Sequence, residues 1–437
     1  MSVLAAVPRE LRAFASPYVG LVPFLEELMA APDEPPLFRV SSETARGEDL
    51  IGATLGNTAG MGGAGFSRGA ATAAAIGEAV ERYSACYLPR ERLVEATATE
   101  LGDDALDPES FALFDSRQYE EPGFPFVPFT ADSRIPWTEG VDLATGRTVW
   151  VPADLVYLSD VGGSRPRIGH ATSNGLACAD EATDATASGL LELLERDAFM
   201  ITWTNRLSLP RLDPADDPEL NALDERYFSP TGLAAAAIDL SVFHGVPTVL
   251  GVVRAPGTGG ALGVGAAAAP TIGRAWWKAL SEAFASRAAG RQLALVRPDR
   301  VFAVDGSDIV SFEDHIQFYG VDSNAGRAAF LTASETRLPT RAVPAIPGRH
   351  ADLVGELVAR IARAGSAAVA VDVTSPDVAS AGLSVIKTVA PGLCPLDVSH
   401  RTRFLGSPRL LDMSKKSRVT DKALRFEDLN ADPHPFP

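Results

Sequence analysis

The chain has 437 residues, 46% of them hydrophobic and 22% charged, with a formal net charge of −17. This composition supports a substantial core and excludes a disordered chain, and the acidity argues against a nucleic-acid backbone as the main partner. No uninterrupted apolar run is long enough to cross a bilayer.

Arg9, Glu10 and Arg12 interrupt the N-terminus before a signal-peptide core can form. The three cysteines, Cys86, Cys178 and Cys394, lack metal-ligand spacing and read as reduced thiols of a cytoplasmic protein. Residues 1–45 read as a leader segment, with one or two short helices around Glu10 and over Phe24–Ala31, then a proline-rich break at APDEPP. The glycine-rich stretch GNTAGMGGAGFSRG follows. It has neither the Gly-Lys-Ser/Thr ending of a P-loop nor dinucleotide-binding spacing, so it reads as a flexible turn whose amides could cradle a phosphate. It leads into an apolar helix, ATAAAIGEAVERYSACYL. Residues 89–160 alternate turn residues with short apolar stretches such as GRTVWVPADLVYL, a sheet pattern. A second long helix is expected from 181 to about Asn205, then helix, strand and strand across ALDERYFS and AAAAIDLSVFHGVPTVLGVVRA. RAWWKALSEAFASRAAGRQLALV is a third apolar helix, and residues 366–390 give strand, loop, helix and strand, a mixed α/β signature. The chain closes in a polar, proline-rich segment, RFEDLNADPHPFP.

Two of these helices share the kernel Glu-x-x-Glu-Arg. Glu78, Glu81 and Arg82 are spaced i, i+3, i+4, and Glu192, Glu195 and Arg196 repeat the spacing, so each trio shares a helix face. The first helix has no other charge nearby, and the second adds only Asp197. A helix apolar all round belongs in the interior, where an uncompensated carboxylate costs several kcal/mol. Two readings follow. Each arginine neutralises one glutamate and the motif staples helices, or the surplus carboxylates hold a divalent cation. Four glutamates against two arginines, with Glu282 in the third helix as a fifth, favour the cation. All-oxygen ligation points to Mg²⁺ rather than zinc, and Mg²⁺ usually bridges carboxylates to phosphates. No Ser/His/Asp set stands out among the six histidines, and His170 reads as structural.

The blocks SRGAATAAAIGEAVERYSA, SNGLACADEATDATASGLLELLERDAFMITW, RAWWKALSEAFASR and VDVTSPDVASAGLSVIKTVAPGL occur in the order of the YcaO proteins, and the chain resembles that family over roughly residues 40–437. The tail PHPFP resembles the Pro-x-Pro-x-Pro terminus of the azoline-forming branch. The resemblance implies an α/β (mixed α+β) fold with an ATP site between acidic helices and a mixed sheet. It implies residues 46–411 as the ATP-binding catalytic domain and 412–437 as a C-terminal tail. Carried over, Glu78, Glu81, Glu192, Glu195 and Glu282 match the Mg²⁺ ligands. Arg196 and Lys278 fall where the family places basic groups on phosphates, Arg82 is a structural partner, and Asn174 and Asp184 lie near the nucleotide wall. Pro433, Pro435 and Pro437 belong to a tail that reaches the active site. Three departures stand out. Ala74 replaces a serine, Gly63-Ala64-Gly65 replaces Gly-Lys-Gly, and Lys278 replaces a glutamine.

The activity so implied is ATP-dependent cyclodehydration of Cys, Ser or Thr in a ribosomal precursor peptide to thiazoline or oxazoline. The expected partners are that peptide, a separate ThiF-like or ocin-type leader-binding protein, a second copy of the chain, and a flavin dehydrogenase of the same pathway. Two competing readings are a YcaO enzyme forming a thioamide or amidine, against which PHPFP counts, and a non-catalytic scaffold that keeps the fold.

Overall fold

In the computed structural model the described residues are 3–45, 62–161 and 165–437. The front of the glycine-rich stretch, residues 56–61, lies outside them. The chain divides into two compact units. The first comprises residues 1–29, 37–193 and 348–393, and the second residues 30–36, 194–347 and 394–437.

The first unit opens with a three-stranded antiparallel sheet of β1 (Phe24–Leu28), β2 (Phe38–Glu43) and β3 (Gly62–Gly65). β1 corrects the helix expected over Phe24–Ala31: its residues alternate between exposed and half-buried, the period of a strand, and all five pair with β2. β3 corrects the flexible turn expected at GGAG. It pairs with β2 and lies under helix α1 (Arg68–Cys86), so closely that a Cβ on Gly63 would stand 2.1 Å from the Ala71 carbonyl oxygen. Glycine is there to admit the helix, and Ser67 caps the helix by accepting from the Ala70 amide.

A second sheet in this unit runs β4-β5-β13-β14-β7, with β6 on β5. Its strands are β4 (Val94–Ala96), β5 (Ile135–Asp142), β6 (Thr148–Pro152), β7 (Leu176–Ala179), β13 (Val369–Asp372) and β14 (Ser384–Val389). Ile76, Val80 and Tyr83 of α1 join Val151, Val369, Val371 and Val385 in one buried cluster. β13 and β14 are antiparallel, not the parallel pair of a βαβ crossover. The five-residue helix Pro376–Ser380 joining them is too short to carry the chain back across the sheet.

The second unit holds a five-stranded sheet, β11-β10-β9-β8-β12. The strands are β8 (Arg211–Asp213), β9 (Ala234–Asp239), β10 (Thr248–Arg254), β11 (Leu262–Ala268) and β12 (Arg337–Pro339), antiparallel except for β12 on β8. Helix α3 (Ile272–Val296) covers β10 and β11, and again glycine admits it: a Cβ on Gly263 would stand 2.2 Å from the Ala283 oxygen. Asp33, in the proline-rich break, belongs here because it pairs at 2.6 Å with the fully buried Arg287 of α3. Helix α2 (Ala182–Thr204) spans the boundary, its first half counted with the first unit and its second with the other.

The tail is not the polar end its composition suggests. Residues 433–436 are buried in the second unit, and Phe436 is 1% exposed in the same cluster as Phe199, Trp203 and Tyr319. No helix among the described residues is long and apolar enough to cross a membrane. No disulfide joins Cys86, Cys178 and Cys394.

Candidate functional site

Three of the candidate glutamates occupy equivalent helical positions. α1, α2 and α3 begin at Arg68, Ala182 and Ile272, each within a few residues of the end of a strand, β3, β7 and β11 respectively. Glu78, Glu192 and Glu282 each lie ten residues past the first residue of their helix. The same local device, strand, tight turn and long apolar helix, therefore presents each carboxylate three turns in.

In the first unit, Arg82 pairs with Glu78 at 3.0 Å, the i, i+4 pairing in which an arginine neutralises a glutamate. The other Glu78 oxygen accepts the Gly62 amide at 2.8 Å. Glu81 has a different environment. Burial raises its carboxyl well above the usual range and the charge of Glu192 raises it further, against partial relief from Arg82 and Lys387. Glu192 Oε2 accepts the Gly175 amide at 3.3 Å. Glu81 and Glu192 are thus close enough for the charge of one to act on the other, and a lysine joins Arg82 in offsetting it.

That lysine, Lys387 on β14, is the residue that the sequence reading missed. It is 4% exposed, and its Nζ donates to the carbonyls of Thr172 at 2.6 Å and Asn174 at 2.7 Å. Burial pushes its pKa down to about 8, and Glu192 and Glu81 oppose that shift. The available signal was one lysine inside the apolar strand SVIKTV. Asn174 is buried in the turn that Lys387 holds. Asp184 instead stands in an exposed pair with His350, 2.7 Å from its Nδ1. His170 is structural, stacked on Phe126 at 5.5 Å and driven down to about 4 by burial.

In the second unit, Glu195 is buried. One of its oxygens lies 3.1 Å from Arg196, and the other accepts the Ala268 amide at 2.9 Å at the end of β11. The Arg196 guanidinium lies 4.2 Å from the centre of the Phe436 ring, a cation–π contact that ties it to the tail. Lys278 and Glu282 are half-buried and four residues apart on one face of α3. Tyr319 donates to the Pro433 carbonyl at 2.5 Å, and His315 Nδ1 lies 2.7 Å from the His434 carbonyl, with the two imidazoles stacked at 3.9 Å. His434 accepts the Phe436 amide at Nδ1 and reaches the Asp397 carbonyl through Nε2 at 2.8 Å. Pro433 and Pro435 are thus fixed by the residues beside them, while the terminal Pro437 is half-buried.

These features define a mixed α+β fold with carboxylates set at one depth in three long helices, and comparison with known proteins gives its family. Residues 62–394 match the YcaO family, described as YcaO cyclodehydratase, ATP- and Mg²⁺-binding; the chain belongs to that family. It is 32% identical over 197 residues to an uncharacterized protein of the tfuA 3' region of Rhizobium leguminosarum bv. trifolii, covering 44% of each chain. It is 31% identical over 197 residues to an uncharacterized protein of Methanothermobacter thermautotrophicus, covering 44% of this chain and 46% of that one. The matches therefore span under half the length of these relatives. Among solved structures, a heterocyclase in complex with substrate and cofactor has a TM-score of 0.78 at 23% identity, covering all of this chain and 57% of its own. The heterocyclase TruD has 0.67 at 24%, covering 85% and 52%. YcaO from Methanopyrus kandleri, bound with AMPPCP and Mg²⁺, has 0.59 at 21%, covering 85% and 86%. At these identities the structures establish the mixed α+β fold.

The residues present suit the family's cofactors. Glu81 and Glu192 crowd negative charge that a divalent cation relieves, and every candidate ligand is a carboxylate. Among the described residues no group of three or more His, Cys, Asp or Glu side chains forms a ready metal cage. Mg²⁺ rarely uses one, since it keeps water and phosphate oxygens in its shell.

Proposed function

We propose that this chain is an ATP-dependent peptide cyclodehydratase that converts Cys, Ser or Thr of a ribosomal precursor peptide to thiazoline or oxazoline. The observation that carries the reading is the crowding of Glu81 and Glu192 around one buried lysine within a YcaO domain. Glu78, Glu81, Glu192, Glu195 and Glu282 would hold Mg²⁺, with Asn174, Asp184, Arg196 and Lys278 on the nucleotide. Mg²⁺ supplies charge neutralisation for the phosphates.

In the reaction, the side-chain thiol or hydroxyl gives up its proton as it adds to the carbonyl carbon of the preceding residue. The former carbonyl oxygen takes the terminal phosphoryl group of ATP, releasing ADP, and leaves as phosphate while the amide nitrogen loses its proton. The net change is loss of one water per ring. Phosphorylation is needed because an amide oxygen is a poor leaving group. A tail segment held by Phe436 against the Arg196 guanidinium is pre-ordered and costs little entropy to present.

Residues 46–411 would form the catalytic part, flanked by segments 1–45 and 412–437. A separate leader-binding protein, a second copy of the chain and a flavin dehydrogenase complete the proposed cytoplasmic system. Incubating the chain with ATP, Mg²⁺, precursor and partner, and recording phosphate release with intact peptide mass, tests this. Loss of one water for each phosphate released is expected. A mass gain from oxygen-to-sulfur exchange would point to thioamide formation, and phosphate release with unchanged peptide would remove the cyclodehydratase reading.

A further inference from the structure

We propose that Lys387 is a positioning residue of the acidic site: it clamps the Thr172–Gly175 turn so that Asn174 and Glu192 are held in place for Mg²⁺ and nucleotide. The proposal rests on the reading of Glu81 and Glu192 as Mg²⁺ ligands. It starts from backbone geometry. Lys387 grips the turn through the carbonyls of residues 172 and 174, and its neighbour Thr388 grips residue 175, whose carbonyl accepts from the Thr388 amide at 2.7 Å and hydroxyl at 2.9 Å.

The turn is closed on both sides. Gly175 has φ +77°, and a Cβ there would stand 2.6 Å from the Thr388 oxygen. From α2, a Cβ on Gly189 would stand 2.5 Å from the Gly175 oxygen. The turn then passes its position to the site directly, because the Gly175 amide donates to Glu192 Oε2. A chain of bonds thus runs from Lys387 through the turn to a metal-ligand candidate, and Asn174 sits within it.

The ammonium also has an electrostatic role. It is a buried cation that acts on both Glu81 and Glu192, alongside Arg82 at Glu81, so it stabilises the pair without a metal and would compete with a metal that binds there. The two roles predict effects of opposite sign. Removing the charge should favour the bare cation, while releasing the turn should disfavour the nucleotide. A lysine that only supports the fold would weaken both.

The test is Lys387→Met, with Mn²⁺ binding measured by electron paramagnetic resonance without nucleotide, and binding of a non-hydrolysable ATP analogue with Mg²⁺ measured by calorimetry. Mn²⁺ should bind at least about threefold more tightly than to the wild-type chain, from lost repulsion, and the analogue at least about threefold more weakly, from lost preorganisation. Parallel weakening of both, or no change in either, overturns the proposal. A wild-type chain that binds neither ligand overturns the reading of the acidic site and the lysine's role with it, an outcome distinct from a wild type that binds both and a variant that matches it. Should the single variant fail to fold, Lys387→Met combined with Glu192→Gln is expected to regain a cooperative melt, because the uncompensated carboxylate is gone. A double variant no more stable than the single one overturns the pairing.

Discussion

Asp197 shows what a charge buried in one of these helices requires. It follows Arg196 in α2 and is fully buried, and its two oxygens are taken up by Arg409 at 2.8 and 2.6 Å, His244 at 2.7 Å and the Cys394 amide at 2.9 Å. Burial opposes its charge, but Arg409 and His244 outweigh burial and hold the carboxyl below the usual range. Asp197→Asn is expected to cost about 3–5 kcal/mol, since it leaves a buried guanidinium without its counter-charge. Denaturant unfolding checks this, and an unchanged midpoint would contradict it. Glu81 differs: burial and the charge of Glu192 raise its carboxyl, with only partial relief from Arg82 and Lys387. The contrast between Asp197 and Glu81 was not legible in the sequence, where each is an acid close to glutamates in an apolar helix. Arg409 and His244 are 212 and 47 residues from Asp197, and no periodicity reports a pairing at that separation. Lys387 escaped for a related reason, because a strand pattern tolerates one polar residue and says nothing of what lies opposite. By contrast, the Glu78–Arg82 pair was legible because helical geometry alone brings i and i+4 together.

The C-terminal segment behaves as a structural element as well as a tail. Phe436 packs at 4.7 Å against Phe199, so Phe436→Ala should cost about 3–5 kcal/mol of stability. Removal of Pro437 alone, at the half-buried end, should spare the fold, and it is the cleaner probe of any role in catalysis. Comparison of thermal unfolding and turnover for the two variants separates the roles. Equal losses in both would make the last residue structural too. The buried histidines also set a pH dependence. Burial drives His315 and His434 down to about 3 and His400 to about 4. All three are neutral when folded, whereas in the unfolded chain they take up protons below about 6.5. The unfolded state therefore binds more protons from about pH 6.5 down to the folded values, and stability falls as pH falls through that window. Asp239, Asp397 and Glu81, raised by burial, have the opposite slope, against four histidines once His170 is counted. Thermal unfolding between pH 7 and 4 is expected to show the loss, and His434→Gln to flatten it. A melting temperature constant over that range would contradict the assignment. At this scale the long helices were legible from their apolar faces. β1 was not, because FLEEL suits a helix until β2 is there to pair with it.

The whole molecule joins an ATP- and Mg²⁺-binding family to an acidic chain of net charge −17. The two fit if the negative charge is concentrated where a divalent cation answers it. The division into two units was not legible, because each is assembled from segments far apart in the chain. Residues 348–393 return to the first unit after the second is built, and residues 30–36 join the second through Asp33 and Arg287. What the sequence carried was the set of strand–turn–helix modules, each with a glutamate at the same helical depth. The most direct test of the account is calorimetric binding of a non-hydrolysable ATP analogue to the wild-type chain and to Glu81→Gln and Glu192→Gln, with and without Mg²⁺. The account predicts binding by the wild type that requires Mg²⁺ and falls at least about tenfold in each folded variant. Binding that is equally tight without Mg²⁺, or unchanged by both substitutions, would contradict it.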